Sequence, residues 1–182
     1  MRGSPATAKP APVFHTARLV ARHWQRNDLA ALMSVYGDHD AMRWVGEGRA
    51  LTRAEGLQWL EVTFANYATR GYGMYALVLK ETGAVVGFAG IVHPAGQPQP
   101  EVKYAFLRDY WGKGLATEAV VGLLQHAFAR HGLAEVMATT APQNLASQRV
   151  LTKAGMQRGA LASNDDGTAT QYFYWRAPAL PD

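Results

Sequence analysis

Residues 110–119 read YWGKGLATEA, two glycines flanking a lysine directly before a run with helical character. The stretch has two readings. Glycine permits the left-handed backbone of a tight turn. A helix start also leaves several N–H groups without internal acceptors, at the positive end of the helix dipole, where an anion can dock. On that second reading the main-chain amides over 112–117 form a pyrophosphate cradle, and Lys113 adds positive charge. Other phosphate loops fit less well. A P-loop needs Ser or Thr after its lysine, and Lys113 is followed by Gly114. The dinucleotide pattern G-x-G-x-x-G breaks at Thr117.

The flanking segments set the cradle between a strand and a helix. Downstream, 115–130 places Leu115, Ala119, Leu123 and Ala127 in one row and Val120, Leu124 and Phe128 in the next. Arg130 and His131 suit the last turn, and Gly132 the position after it. Upstream, 101–107 has strand character, preceded by the loop HPAGQPQP. Earlier still, 74–79 and 84–92 form a hairpin through KETG. Beyond the long helix come a strand at 135–140, a helix capped by Asn144 and closed by Gly155, and a last strand at 171–175. The N-terminal part predicts one strand within 14–24. A helix over 29–36 follows, capped by Asn27 or Asp28. After the polar connection GDHD, Thr52 and Glu55 form a capping box. The helix they start carries Leu57, Leu60, Phe64 and Tyr67 at helical spacing. This order predicts an α/β (α+β) fold, a central mixed sheet with helices on both faces.

The chain has 182 residues, enough for one domain with a hydrophobic core, assigned to 13–178. Residues 1–12 are small, polar and proline-rich and read as a disordered tail. There is no cysteine, so disulfides and thiolate metal sites are excluded. The net charge of +4 favours an anionic ligand but lacks the basic block of a nucleic-acid binder. No apolar run has the length of a membrane span. A cytoplasmic protein with no nucleic-acid or membrane partner is expected.

A second stretch, NLASQRVLTKAGM over 144–156, is a capped helix ending in Gly-Met. Together the two stretches resemble the Gcn5-related N-acetyltransferase (GNAT) superfamily, in the branch similar to ribosomal-protein N-terminal acetyltransferases. That family shows a turn of the form Q/R-x-x-G-x-G/A before a helix. After the next strand it shows Asn-x-x-Ser/Ala leading to Gly-Phe. Here Trp111 replaces the initial Gln/Arg, Gly114 and Ala116 keep the turn, and Gly155-Met156 stands for Gly-Phe. The resemblance spans roughly 14–175 and implies a mixed, mainly antiparallel sheet flanked by helices.

It also implies acetyl-CoA as cosubstrate, with no metal, and direct acetyl transfer to a primary amine, on a protein N-terminus or a small molecule. The pyrophosphate would rest on Gly112, Lys113, Gly114, Leu115, Ala116 and Thr117. The pantetheine arm would run along Tyr104, Ala105 and Phe106. Asn144 and Ser147 would approach the reactive end; as plain sequence, Asn144 is a helix cap and Ser147 a first-turn residue. Glu101 is the candidate base, in PEVKY where the branch often has Ala-Glu-Ile-Gly-Tyr; otherwise it is an edge carboxylate in solvent. His93 is the other candidate. Lys103 stands in the glycine position and either pairs with Glu101 or points outward. Leu151 stands where many members carry a tyrosine acid, which leaves Ser147, water or unassisted thiolate release. Trp44, Trp59, Tyr67, Tyr72 and Tyr75 fall in acceptor-site segments or pack the core. Asp38, Asp40 and Glu47 would attract a cationic acceptor. Family members occur as monomers and homodimers. Two alternatives remain, a degenerate acyl-CoA-binding sensor and an unrelated domain for another phosphorylated ligand.

Overall fold

The computed structural model describes residues 10–46 and 48–178. Most of the tail assigned to 1–12 therefore lies outside the described residues, as does Glu47. The strands are β1 (Pro12–His15), β2 (Leu19–Arg22), β3 (Met74–Leu79), β4 (Val85–Val92), β5 (Glu101–Phe106), β6 (Glu135–Thr140), β7 (Gln157–Ser163) and β8 (Ala169–Arg176). The helices are α1 (Leu29–Tyr36), α2 (His39–Met42), α3 (Arg53–Arg70), α4 (Leu115–His131) and α5 (Leu145–Lys153).

All eight strands join one sheet in the order β1-β2-β3-β4-β5-β6-β8-β7. Every neighbouring pair is antiparallel except β5 and β6. Alternation along β3 sends Tyr75 and Leu77 to one face and Met74 and Ala76 to the other. The first face packs against Leu115, Val120, Leu123 and Leu124 of α4 and Leu151 of α5. The second packs against Leu29 and Leu32 of α1 and Leu60 of α3. The mixed, mainly antiparallel sheet with helices on both faces is thus the observed architecture.

Several local expectations change. The single strand expected within 14–24 is a hairpin. The Thr16 hydroxyl accepts the Leu19 N–H at 3.0 Å and turns the chain there. Neither Asn27 nor Asp28 caps α1 with its side chain. The Asp28 carboxylate instead takes Arg22 and the Gln25 N–H. GDHD is a helix start, because the Asp38 side chain accepts the N–H groups of Asp40 and Ala41. Thr52 and Glu55 do form the capping box. Leu57 faces solvent, at 48% exposure. Strand β7 was not anticipated from the sequence.

A cluster of rings lies at one end of the first face. His23 stacks on Tyr67 at 4.1 Å. His126 lies 5.3 Å from Phe14 and 5.5 Å from His131. Burial pushes all three imidazoles below their usual pKa; His131 and Arg130 add to this at His126, and Arg130 at His131. Such a histidine binds fewer protons folded than unfolded. Its stabilisation is therefore complete above about pH 6.5 and is lost as the pH falls toward the lower folded value. The melting temperature is expected to be level near pH ~7–8 and to fall between pH ~6.5 and ~5, before carboxylates titrate. A melting temperature that holds or rises across that interval contradicts this assignment.

Candidate active site

The site begins where β5 and β6 part. Their parallel pairing is limited to Glu101 with Met137, next to the Met137 N–H on the Pro100 carbonyl at 2.9 Å. On the other side, β5 stays paired with β4 through Phe106. The Leu107 N–H donates to Val86 O at 2.9 Å. Alternation then turns the peptide groups of Lys103 and Ala105 toward β4 and those of Tyr104 and Phe106 into the gap. Of the three strand residues expected to face a ligand, Tyr104 therefore turns its main chain and Phe106 its N–H toward the gap, the Phe106 carbonyl being taken by the Trp111 indole, and Ala105 faces β4.

A cleft of about 740 Å³ opens from this gap. Tyr104, Ala105, Phe106, Gly112, Gly114, Leu115, Ala116, Thr117, Asn144 and Ser147 line it, so most of the expected cofactor residues meet there. Gly112 and Gly114 both adopt positive φ, 70° and 76°. A Cβ on Gly112 would meet nothing within 4 Å, and one on Gly114 only Arg18 Nη2 at 3.6 Å, so the space above both is open. The first N–H of this segment with a backbone acceptor is that of Glu118, on Gly114 O at 3.1 Å. Among the described residues, the N–H groups over 112–117 have no protein partner. The Trp111 indole N–H donates to Phe106 O at 2.8 Å and ties the turn back to β5. The Lys113 ammonium lies over the Tyr110 ring, 5.4 Å from its centroid, and is not part of the cleft lining.

At the other wall, the Asn144 side chain caps α5 by accepting the Ser147 N–H at 3.2 Å. The Ser147 hydroxyl meets the Tyr104 hydroxyl at 2.7 Å. Burial pushes the Tyr104 phenol up to about 12, against a smaller opposing effect of the Ser147 bond, so it stays protonated at neutral pH. The sequence reading missed this pairing; the tyrosine of PEVKY was the available signal. Leu151, where a tyrosine acid would stand, is core, at 1% exposure.

Glu101 is not an edge carboxylate in solvent but is 3% exposed. Lys103 pairs with its Oε1, Thr139 donates to the same oxygen, and Gln97 Nε2 donates to Oε2 at 3.2 Å. Lys103 and Thr139 line the cleft and Glu101 lies behind them. His93 is held elsewhere. Its Nδ1 donates to the Gln97 carbonyl at 2.9 Å, so its Nε2 accepts the Tyr72 hydroxyl at 2.9 Å. Of the five aromatics considered for an acceptor site, only Trp44 lines the cleft. Trp59 is partly buried and packs edge-on to the core residue Trp24 at 5.9 Å. Asp38 and Asp40 are bridged by Arg108, at 2.8 and 2.9 Å. Arg43, Lys103, Arg108, Arg149 and Lys153 line the cleft against Asp40, a lining suited to a polyanion. Among the described residues no group of His, Asp and Glu could hold a metal, and no helix is long and apolar enough to cross a membrane.

The acetyltransferase (GNAT) domain family matches residues 18–157, and the chain belongs to it. The uncharacterized N-acetyltransferase YnaD of Bacillus subtilis is 26% identical over 143 residues, 79% of this chain and 81% of that protein. An acetyltransferase of Agrobacterium tumefaciens str. C58 superposes with a TM-score of 0.78 at 24% identity, covering 96% of this chain and all of the other. RimL, the ribosomal L7/L12 α-N-protein acetyltransferase solved with coenzyme A, superposes at 0.77 with 14% identity, covering 91% of this chain and 98% of RimL.

Proposed function

We propose that the protein moves an acetyl group from acetyl-CoA directly to a primary amine, on a protein N-terminus or a small molecule. The observation that carries this reading is the run of unpartnered N–H groups over 112–117, opening on the same cleft as the free edge of β5. Unpaired amides at a helix start suit a pyrophosphate, and the open space above Gly112 and Gly114 lets it come close. The Tyr104 peptide group and the Phe106 N–H suit the amide-bearing pantetheine arm, which would add to β5 like a strand. Asn144 and Ser147 stand at the opposite wall.

Bound acetyl-CoA supplies the activated acyl group, a thioester. Ser147 donates a hydrogen bond to the departing sulfur as the C–S bond breaks. With Tyr104 as the donor in the hydroxyl pair, the serine proton is free to face the cleft. The incoming amine must give up a proton, since its free pKa is about 8 to 10 depending on type. Glu101 takes it by way of Thr139: the amine proton passes to Thr139 Oγ1 while the hydroxyl proton moves to the carboxylate. Carboxylate and hydroxyl are already hydrogen-bonded in that direction. The cytoplasm, where acetyl-CoA and amines are both present, is the compartment this reading assigns.

Calorimetric titration tests the cofactor assignment. The protein is expected to bind acetyl-CoA and CoA, and ATP or NADH much more weakly. Folded protein that binds no acetyl-CoA, or binds the nucleotides as well, overturns it. An amine screen with thiol detection then identifies the acceptor.

A further inference from the structure

A side chain far from the cradle in sequence is built into it. Arg18 lies in the turn between β1 and β2, and Glu118 in the first turn of α4, 100 residues on. The Arg18 N–H donates to Glu118 Oε1 and its Nε to Oε2, both at 2.7 Å. The Thr16 hydroxyl donates to the same Oε1 at 2.6 Å. Burial alone would raise the Glu118 carboxyl, but these bonds outweigh it and hold the group below its usual range. Arg18 Nη1 then reaches the Lys113 carbonyl at 2.9 Å, in the turn between Gly112 and Gly114. The turn is itself fixed from behind. The Lys80 N–H donates to Arg18 O at 2.9 Å, and the Lys80 ammonium holds the Thr16 carbonyl.

One nitrogen of the guanidinium is left over. Nη2 stands 3.6 Å from where a Gly114 Cβ would be, with no hydrogen-bond partner among the described residues. The group is planar and its other nitrogens are committed, so the direction of Nη2 is set. It stands beside the bare side of Gly114, at the edge of the turn whose N–H groups are unpartnered. Glu118 cancels much of the charge at Nε, yet the side chain is half exposed and Nη2 stays a charged donor.

We propose that Arg18 is a ligand residue of the cradle, donating from Nη2 to a phosphate oxygen of the cosubstrate while Nε and Nη1 hold the turn in its binding form. This rests on the acetyl-CoA reading above. It adds a charged contact from the N-terminal hairpin to a site otherwise made of main-chain amides.

Acetyl-CoA titrations of wild type, Arg18→Ala, Arg18→Lys and Arg18→Gln over a range of salt concentrations test it. Arg18→Ala is expected to bind about 10-fold or more weaker, with the slope of log Kd against log salt flatter than in wild type, as one screened charge–charge contact is lost. Arg18→Lys keeps the charge but not the fork; its affinity should be intermediate and its slope like wild type. A brace without phosphate contact would weaken all three variants and leave every slope unchanged, and that result overturns the proposal. So does an Arg18→Ala protein that binds within twofold of wild type. If Arg18→Ala does not fold, Arg18→Gln, which keeps a donor for Lys113 O, is read by its slope in the same way. Wild type that binds no acetyl-CoA fails the underlying reading instead, before any variant is compared.

Discussion

Replacing Gly114 with tryptophan is expected to weaken acetyl-CoA binding by at least about 100-fold, roughly 2.7 kcal/mol, while leaving the protein folded. The backbone at this position has φ of 76°, which a side chain tolerates at a cost of about 1–2 kcal/mol. Within the protein the new Cβ meets only Arg18 Nη2, at ordinary contact distance. The core is therefore untouched, and thermal unfolding should shift by only a few degrees, on the order expected for ~1–2 kcal/mol. The indole would instead fill the space over the amides of 112–117, which is where an anion must come to use them. Gly114→Ala shares the backbone strain but not the bulk, so it should bind with an intermediate loss. Titration of the three proteins, with circular dichroism as a check on folding, reads the effect. A folded Gly114→Trp protein that binds like wild type would remove the cradle from the cofactor site.

The glycine turn before α4 was legible because its signals are local. Gly112, Gly114 and the apolar rows of α4 lie within twenty residues, and the caps at Thr52 and Asn144 act across three. What escaped notice depends on distant partners or on weak local character. Strand β7, QRGALAS, is exposed along nearly its whole length and exists because β8 offers it an edge. The hairpin of β1 and β2 was read as one strand because a single threonine hydroxyl interrupts it. Short helix α2 hid in GDHD because its cap and its polar connection use the same residue type. Arg18 carried no signature at all: its partners are the Glu118 carboxylate and a carbonyl near it, reached only once the chain has folded. The Tyr104 and Ser147 pairing is of the same kind, since β5 and α5 meet only across the cleft.

Glu101 shows the same limit and carries the second large effect. The sequence placed it beside the groove but not its burial, because that depends on Lys103, Thr139 and Gln97 converging from three segments. Glu101→Leu leaves the Lys103 ammonium facing an apolar group and strips the acceptor from Thr139 and Gln97. Breaking a buried pair from one side costs about 3–5 kcal/mol; Lys103 is 34% exposed and can turn to water, which lowers the expected loss to about 2–3 kcal/mol. Pairing the change with Lys103→Met should restore most of that, since no charge is then left uncompensated. Urea denaturation of the two single variants and the double variant measures the coupling, and purely additive losses would show that the pair contributes nothing beyond its separate contacts. Glu101→Gln divides structure from chemistry. The amide keeps the shape and can still bond Thr139, so most of the stability and the acetyl-CoA affinity should survive. It cannot receive the amine's proton, and turnover with the acceptor found by the screen should fall by about 100-fold or more. Wild-type turnover in that variant would leave Glu101 a structural partner of Lys103 and move the search for the base to water in the cleft.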